Sequence, residues 1–237
     1  MNLIEYKVKI TMTEDMLGTV PKNKDIFGTH IQKEAVDKGI ITQEQADQEI
    51  ESVEQLEEKG WTGFMKDDKG VFLFDYVFRG FLKASAKALS EMIGMKAVKS
   101  KVDMYLFVNP RKLYLTRDGK NIKEADGTMS RSLRSEGPRG PRVFLAKSDV
   151  VKAGAEIDLM LRVLPSKDKD FSLDTIKELL DYGELQGLGQ FRNGSYGRFT
   201  YTIEEMPNNA KIRKLYGTRL EKMAKEAAAM KEAKGKK

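Results

Sequence analysis

Between residues 3 and 13 the side chains alternate, with Ile4, Tyr6, Val8, Ile10 and Met12 on one side and Glu5, Lys7, Lys9 and Thr11 on the other. A period of two predicts a half-buried first strand. Residues 61–70 read as a turn-rich connection, and 71–74 as a short apolar strand. Over 75–94 the spacing changes: Phe81, Leu82, Ala88, Leu89, Met92 and Ile93 recur at helical intervals, and Gly94 stands where a helix stops. Alternation returns at 101–108, where Val102, Met104, Leu106 and Val108 oppose Asp103, Tyr105 and Phe107. That predicts another strand, broken by Asn109-Pro110 ahead of a basic strand at 111–117. Strands are also predicted at 143–147 and 155–164, with a turn at Ala153-Gly154 between them. Residues 171–182 predict a helix capped by Ser172, with Leu173, Ile176, Leu179 and Leu180 on one face. A last strand at 198–205 ends before Pro207.

Two long stretches interrupt this series. Residues 14–70 read as a helical insertion: a loop marked by Gly18 and Pro21, a short helix at 25–38, and a polar helix that opens at Thr42 and runs to Lys59. That second helix has only Ile50, Val53 and Leu56 to bury, so it reads as a solvated outer element. Residues 117–145 begin with the turn signal Asp118-Gly119 and are poor in apolar residues. They place Arg131, Arg134, Arg139 and Arg142 on a segment that cannot pack into a core. Such a segment is either an arm that grips a ligand or a solvated linker. Without its insertions the order is strand, helix, strand, strand, helix, strand, the ferredoxin-like arrangement that RNA-recognition modules share. The expected architecture is therefore α+β: one ferredoxin-like domain over 1–207 with an antiparallel sheet and an extended basic hairpin arm, followed by a basic helical tail over 208–237.

The net charge of +6 points to nucleic acid only until its distribution is counted. Residues 211–237 hold ten Lys or Arg against three Glu, a balance of +7, which leaves residues 1–210 at −1. Residues 31–60 carry −6 and residues 96–147 carry +8. The body is bipolar, with an acidic early third and a basic middle. The chain lacks cysteine and has one histidine, His30, which excludes disulfides and Cys-ligated metals; no clustered Asp pattern asks for a hard cation, and no cofactor is implied. No apolar run is long enough to span a membrane, and the first residues lack a signal-peptide pattern, so a cytoplasmic protein is expected.

The stretch at 187–201 has four glycines and two arginines directly ahead of the last strand. Glycine permits φ > 0 and close backbone approach, so the stretch is either a tight connection or a ligand cradle. Arg192, Asn193 and Arg198 can donate hydrogen bonds and Tyr196 offers an aromatic face, while Gly189, Gly194 and Gly197 shape the backbone. This combination suits a phosphate-and-base ligand. Gly80, placed near the start of the 75–94 helix, is expected to leave its first turn open, with Arg79 and Lys83 around unpaired N–H groups that attract phosphate. The stretch's place after a helix and before the last strand, with Arg79 and Lys83 on a matching helix start, favours the cradle. Tyr105, Phe107, Tyr114, Tyr196, Phe199 and Tyr201 lie on or beside strands, where two or three of them could stack bases.

Residues 78–88, Phe-Arg-Gly-Phe-Leu-Lys-Ala-Ser-Ala-Lys-Ala, and 187–199, Gly-Leu-Gly-Gln-Phe-Arg-Asn-Gly-Ser-Tyr-Gly-Arg-Phe, resemble two motifs of the RAMP superfamily of CRISPR ribonucleoproteins, and most closely those of its backbone subunits. The first is similar to the segment that opens the family's first core helix, although Val77-Phe78 replaces its small Ser-Ser pair. The second is similar to the family's glycine-rich loop before the last strand. The likeness implies that residues 127–142 form a thumb-like hairpin that inserts into RNA, and that Arg79, Lys83, Arg192 and Arg198 touch phosphate or base. The acidic insertion is atypical of the family. The arrangement also resembles uncharacterised proteins of bacteriophages of Gram-positive hosts, which implies a stand-alone relative.

Three functions follow. The first is a non-catalytic protein that binds single-stranded RNA or DNA, alongside copies of itself or other ribonucleoprotein subunits. The second is a metal-independent endoribonuclease like the family's CRISPR-RNA processing nucleases, for which His30 is the one residue with a suitable unperturbed pKa. The third is a phage protein that occupies a host defence complex or sequesters a nucleotide. The first is the leading expectation.

Overall fold

The structure, a computed structural model, describes residues 3–22, 60–94, 96–137, 140–164 and 171–206 of the 237. His30, Arg139, the helices expected at 25–38 and 42–59, and the tail at 208–237 lie outside the described residues. Arg134 and Arg142 are described by their backbone alone.

Strand β1 (Ile4–Met12) pairs antiparallel with β12 (Glu156–Val163) on one side and with β13 (Phe199–Met206) on the other. The far side of β12 pairs antiparallel with β7 (Leu106–Asn109). Helix α1 (Asp75–Ala88) lies between β1 and β7 in the chain, and α4 (Leu173–Gln186) between β12 and β13. The spatial order β13-β1-β12-β7, antiparallel throughout, with two crossing helices, is the ferredoxin-like βαββαβ core.

The alternation drives the packing. Val8 and Ile10 of β1 and Ile157 and Leu161 of β12 share one core with Phe78, Phe81 and Leu82 of α1 and with Ile176, Leu179 and Leu180 of α4. Each of these side chains contributes about 1.5–3 kcal/mol by leaving water. Helix α4 starts as its cap predicts, with the Ser172 hydroxyl accepting from the Thr175 amide at 3.2 Å. The other face of the sheet is laced by ion pairs, Lys9 with Glu156 at 2.8 Å and Arg162 with Glu5 at 2.7 Å. It is no aromatic platform: Phe199 is wholly buried and meets Phe81 at 5.2 Å, the Tyr201 hydroxyl donates to Asp181 at 2.7 Å, and of the six aromatics among which two or three are expected to stack only Phe107 is exposed.

Two local expectations are corrected. The first part of 101–108 is helical: α3 (Val98–Tyr105) follows the short α2 (Ser90–Ile93) and precedes β7. Only Val102 of α3 is buried, and Asp103 turns to an ion pair with Lys83 of α1. A period of two over so few residues does not separate a strand from a helix that buries one residue. The connection at 61–70 holds two short strands, β4 (Trp61–Gly63) and β5 (Met65–Asp67), the second of which leads into β6 (Gly70–Phe74).

The arm is a hairpin, β10 (Gly127–Gly137) with β11 (Gly140–Val151), so it starts and ends later than the expected 117–145. The Asp118-Gly119 turn instead joins β8 (Lys112–Arg117) to β9 (Lys120–Asn121). Both turn residues have positive φ, 52° and 72°, as a two-residue hairpin turn requires. Strand β11 also pairs in parallel with β4 and antiparallel with β2 (Met16–Leu17), while β4 pairs with β3 (Val20–Pro21). The base of the arm is thereby built into a second sheet, and the loop that follows β1 belongs to that sheet.

Candidate nucleic-acid interface

The glycine stretch folds as a loop stitched to the chain after β1. The amide of Leu188 donates to Gly197 O at 2.7 Å, closing the loop on itself. Gly197 N donates to Asp15 O at 2.8 Å, Gln190 N to Leu17 O at 3.2 Å, and Thr13 N to Arg198 O at 2.9 Å. A β-carbon at Gly197, where φ is 72°, would collide with Leu188 O; one at Gly189, where φ is 86°, would lie 2.7 Å from Leu17 O. At Gly189 and Gly197 glycine stands because two backbones touch, as in a tight connection, and the amides of Leu188, Gln190 and Gly197 are already spent on carbonyls.

What the loop presents is side chains. Phe191 and Ser195 flank the 3₁₀ turn Arg192–Gly194, and both take left-handed backbone conformations, with φ of 57° and 70°. A bulky residue at φ > 0 is an outlier that the surroundings must enforce. The Phe191 ring is 40% exposed, lies 5.8 Å from the Tyr196 ring, and carries the Arg131 guanidinium 4.9 Å from its centroid. A β-carbon on Gly194 would strike the Phe191 ring. Asn193 is exposed and Arg192 partly so.

Arg131 comes from the arm, so this contact joins two features that lie far apart in sequence. Arg131 Nη1 donates to Ser148 Oγ of β11 at 3.1 Å, and Ser148 Oγ donates to Gln190 Oε1 at 3.0 Å. Thr62 of β4 donates to the same Gln190 oxygen at 2.8 Å. Gln190, Thr62 and Ser148 form a polar joint between glycine loop and arm base that the sequence reading missed; the joint is signalled by no motif, because it depends on strand register.

The other predicted residues divide. Arg79, Arg131 and Arg198 each keep a buried Nε with no hydrogen-bond acceptor among the described residues. Lys83, expected at an open helix start, instead pairs with Asp103 at 2.5 Å. Gly80 is the sixth residue of α1, exposed, and a β-carbon added there would meet nothing within 4 Å, so it opens no first turn. That turn already holds an acid, Asp75, whose amide donates to Arg111 O at 2.8 Å. Burial holds the Asp75 carboxyl above the usual carboxylate range, against the opposing pull of Arg111 and Arg79. The α1 start is therefore not an anion site of the expected kind. Arg134 pairs with Val143 and Arg142 with Ser135 along the outer arm. Among the described residues no cluster of His, Cys, Asp or Glu is suited to hold a metal ion, and no helix is long and apolar enough to cross a membrane.

No family model matches the chain, and no curated protein matches it. Among solved structures it is similar to a chain in the cryo-EM structure of the Type III-B Cmr-beta bound to cognate target RNA, with a TM-score of 0.47 and 11% identity over 88% of this chain and 62% of that one. It is also similar to a chain of a Type IV-B CRISPR complex, with a TM-score of 0.42 and 13% identity over 84% of this chain and 90% of that one. The chain spans less than two thirds of the length of the first of these.

Proposed function

We propose that this protein binds single-stranded nucleic acid, RNA foremost, without chemistry, at the junction of the glycine loop and the arm. The observation that carries the reading is the Arg131–Phe191 contact: a guanidinium over an exposed ring, with a second ring, Tyr196, beside it. Ring faces accept stacked bases of any sequence, and arginines pair with the phosphates between them. Arg192 and Asn193 on the loop's 3₁₀ turn support it, adding a guanidinium and an amide beside the rings at the surface. The groups gathered at the junction are guanidinium, amide, hydroxyl and aromatic, which are hydrogen-bond donors and ring faces suited to holding a strand. The arm, basic along its length, then lies along the strand, where further copies or ribonucleoprotein subunits would sit side by side.

Fluorescence anisotropy with labelled single-stranded RNA, single-stranded DNA and duplex, at two salt concentrations, tests the reading. Binding to single strands that weakens in Arg131→Ala is the expected result; an absence of binding to all three ligands removes it.

A further inference from the structure

Strand alternation gives the arm's sheet a second working face. Thr62, Ser148 and Arg131 point toward the glycine loop, so their neighbours Trp61, Lys147 and Asp149 point away from it. On that reverse face lies a cleft of about 250 Å³ walled by Trp61, Phe64 and Val71. Trp61, the only tryptophan, is held from three directions: its Nε1 donates to Asp149 Oδ1 at 2.8 Å, Lys147 Nζ lies 3.7 Å from the ring centroid and Lys22 Nζ 4.7 Å. Lys22 and Asp149 form a buried ion pair at 2.8 Å, each side chain 9% exposed. At the mouth Lys66 pairs with Glu124 at 2.8 Å in the open, and these two side chains are 41% and 76% exposed. A β-carbon at Gly63 would lie 2.5 Å from Lys22 Cε and 2.6 Å from Asp149 Oδ2, so a larger residue there would have to displace the ion pair.

We propose that this cleft is a pocket for one uncharged nucleobase, separate from the interface on the other face. Its volume is below the roughly 300–1,000 Å³ of sites for drug-sized ligands, which suits a single planar group. Its lining sets the aromatic and apolar side chains Trp61, Phe64 and Val71 beside polar ones, Thr128 among them. The cations lining it face carboxylates, Lys22 against Asp149 and Lys66 against Glu124, so the cleft lacks the surplus positive charge that would select a phosphate. At the mouth an ammonium donor stands next to carboxylate acceptors, the pairing that the edge of a base satisfies with its own acceptors and amino donors.

Trp61 reports occupancy directly. Titration of the full chain with adenosine, guanosine, cytidine and uridine should change Trp61 emission saturably for at least one of them, while inorganic phosphate and ribose 5-phosphate leave it unchanged. The double substitution Lys66→Ala with Glu124→Ala alters only exposed side chains and keeps the reporter; it should move the titration midpoint about tenfold higher, the worth of one to two hydrogen bonds. No response to any nucleoside, an equal response to phosphate, or an unmoved midpoint in the double variant would each overturn the proposal. Arg131→Ala, which tests the interface, touches no residue of the cleft, so the two readings fail separately.

Discussion

Trp61 and Thr62 are consecutive on β4 and serve opposite faces of the arm's sheet: the Thr62 hydroxyl donates to Gln190 of the glycine loop at 2.8 Å, while the Trp61 indole donates to buried Asp149 at 2.8 Å. A shift of one residue in the β4–β11 register would exchange the two faces, so both depend on one pairing, Trp61 with Lys147 and Thr62 with Ser148.

The two faces differ in what a truncation should cost. Gln190→Ala removes the acceptor of two hydrogen bonds, but Thr62 and Ser148, 2.8 Å apart, can still satisfy each other. The expected loss is about 1–2 kcal/mol, together with weaker RNA binding as the arm comes free of the loop. Asp149→Ala breaks a buried ion pair from one side and removes the acceptor of the Trp61 indole as well, and should cost about 3–5 kcal/mol. Urea unfolding of both variants checks the order; equal midpoints would mean that the Lys22–Asp149 pair is not desolvated as described.

Glycine substitutions separate backbone contact from ligand cradle. Gly197→Ala drives a β-carbon into Leu188 O at a φ of 72°, so the loop must open, at a cost of roughly 2–4 kcal/mol. Gly80→Ala does the reverse: the position is helical, exposed and unobstructed, and alanine should stabilise by about 0.5–1 kcal/mol. Thermal or urea unfolding reads both, and a destabilised Gly80→Ala would restore a special role for that glycine.

These two glycines also mark how far the sequence could be read. Strands β1, β12 and β13 and helix α4 were legible because one face of each is buried, and burial of one face writes its period into the residues. The arm was legible as a basic segment without apolar support, though its ends were not, since they depend on pairing with β2 and β4 elsewhere in the chain. The glycine loop was legible as a special place with two readings, because glycine is called for equally by a ligand and by a carbonyl in contact; at Gly197 and Gly189 the carbonyls of Leu188 and Leu17 are the contact. Arg131 was picked out by composition, but its partner Phe191 was not, because a contact between residues 60 positions apart follows from the fold alone.

Asp75 gives a pH dependence with a definite sign. Its folded pKa is raised by burial, while in the unfolded chain it titrates near the ordinary value of about 3.9. Between those two values the folded state binds more protons, so stability falls as pH rises through the window and stays lower above it. Asp75→Asn should flatten that fall and stabilise the protein at neutral pH. Denaturant midpoints measured from pH 4 to pH 7 decide it; if asparagine instead destabilises at pH 7, the contacts with Arg79 and Arg111 outweigh the burial of the charge.

The interface prediction turns on the salt dependence. Residues 1–210 carry a balance of only −1, so if binding came from bulk charge it would reside in the tail, which carries +7 over 211–237. If the loop grips phosphate, replacing Arg192 and Arg198 together by alanine should weaken RNA binding and reduce the slope of log K against log salt by up to about 2, with the tail still in place. Phe191→Leu should weaken binding by a different route: it removes a stacking face worth roughly 1–3 kcal/mol per base and leaves the salt slope unchanged. Arg131 and Phe191 should also couple, by about 0.5–1 kcal/mol in a double-mutant cycle on stability, because the ring is partly exposed. Deleting 208–237 completes the comparison: a truncated chain that retains the arginine-dependent part of the slope places the grip in the folded domain, and a truncated chain that no longer binds assigns it to the tail.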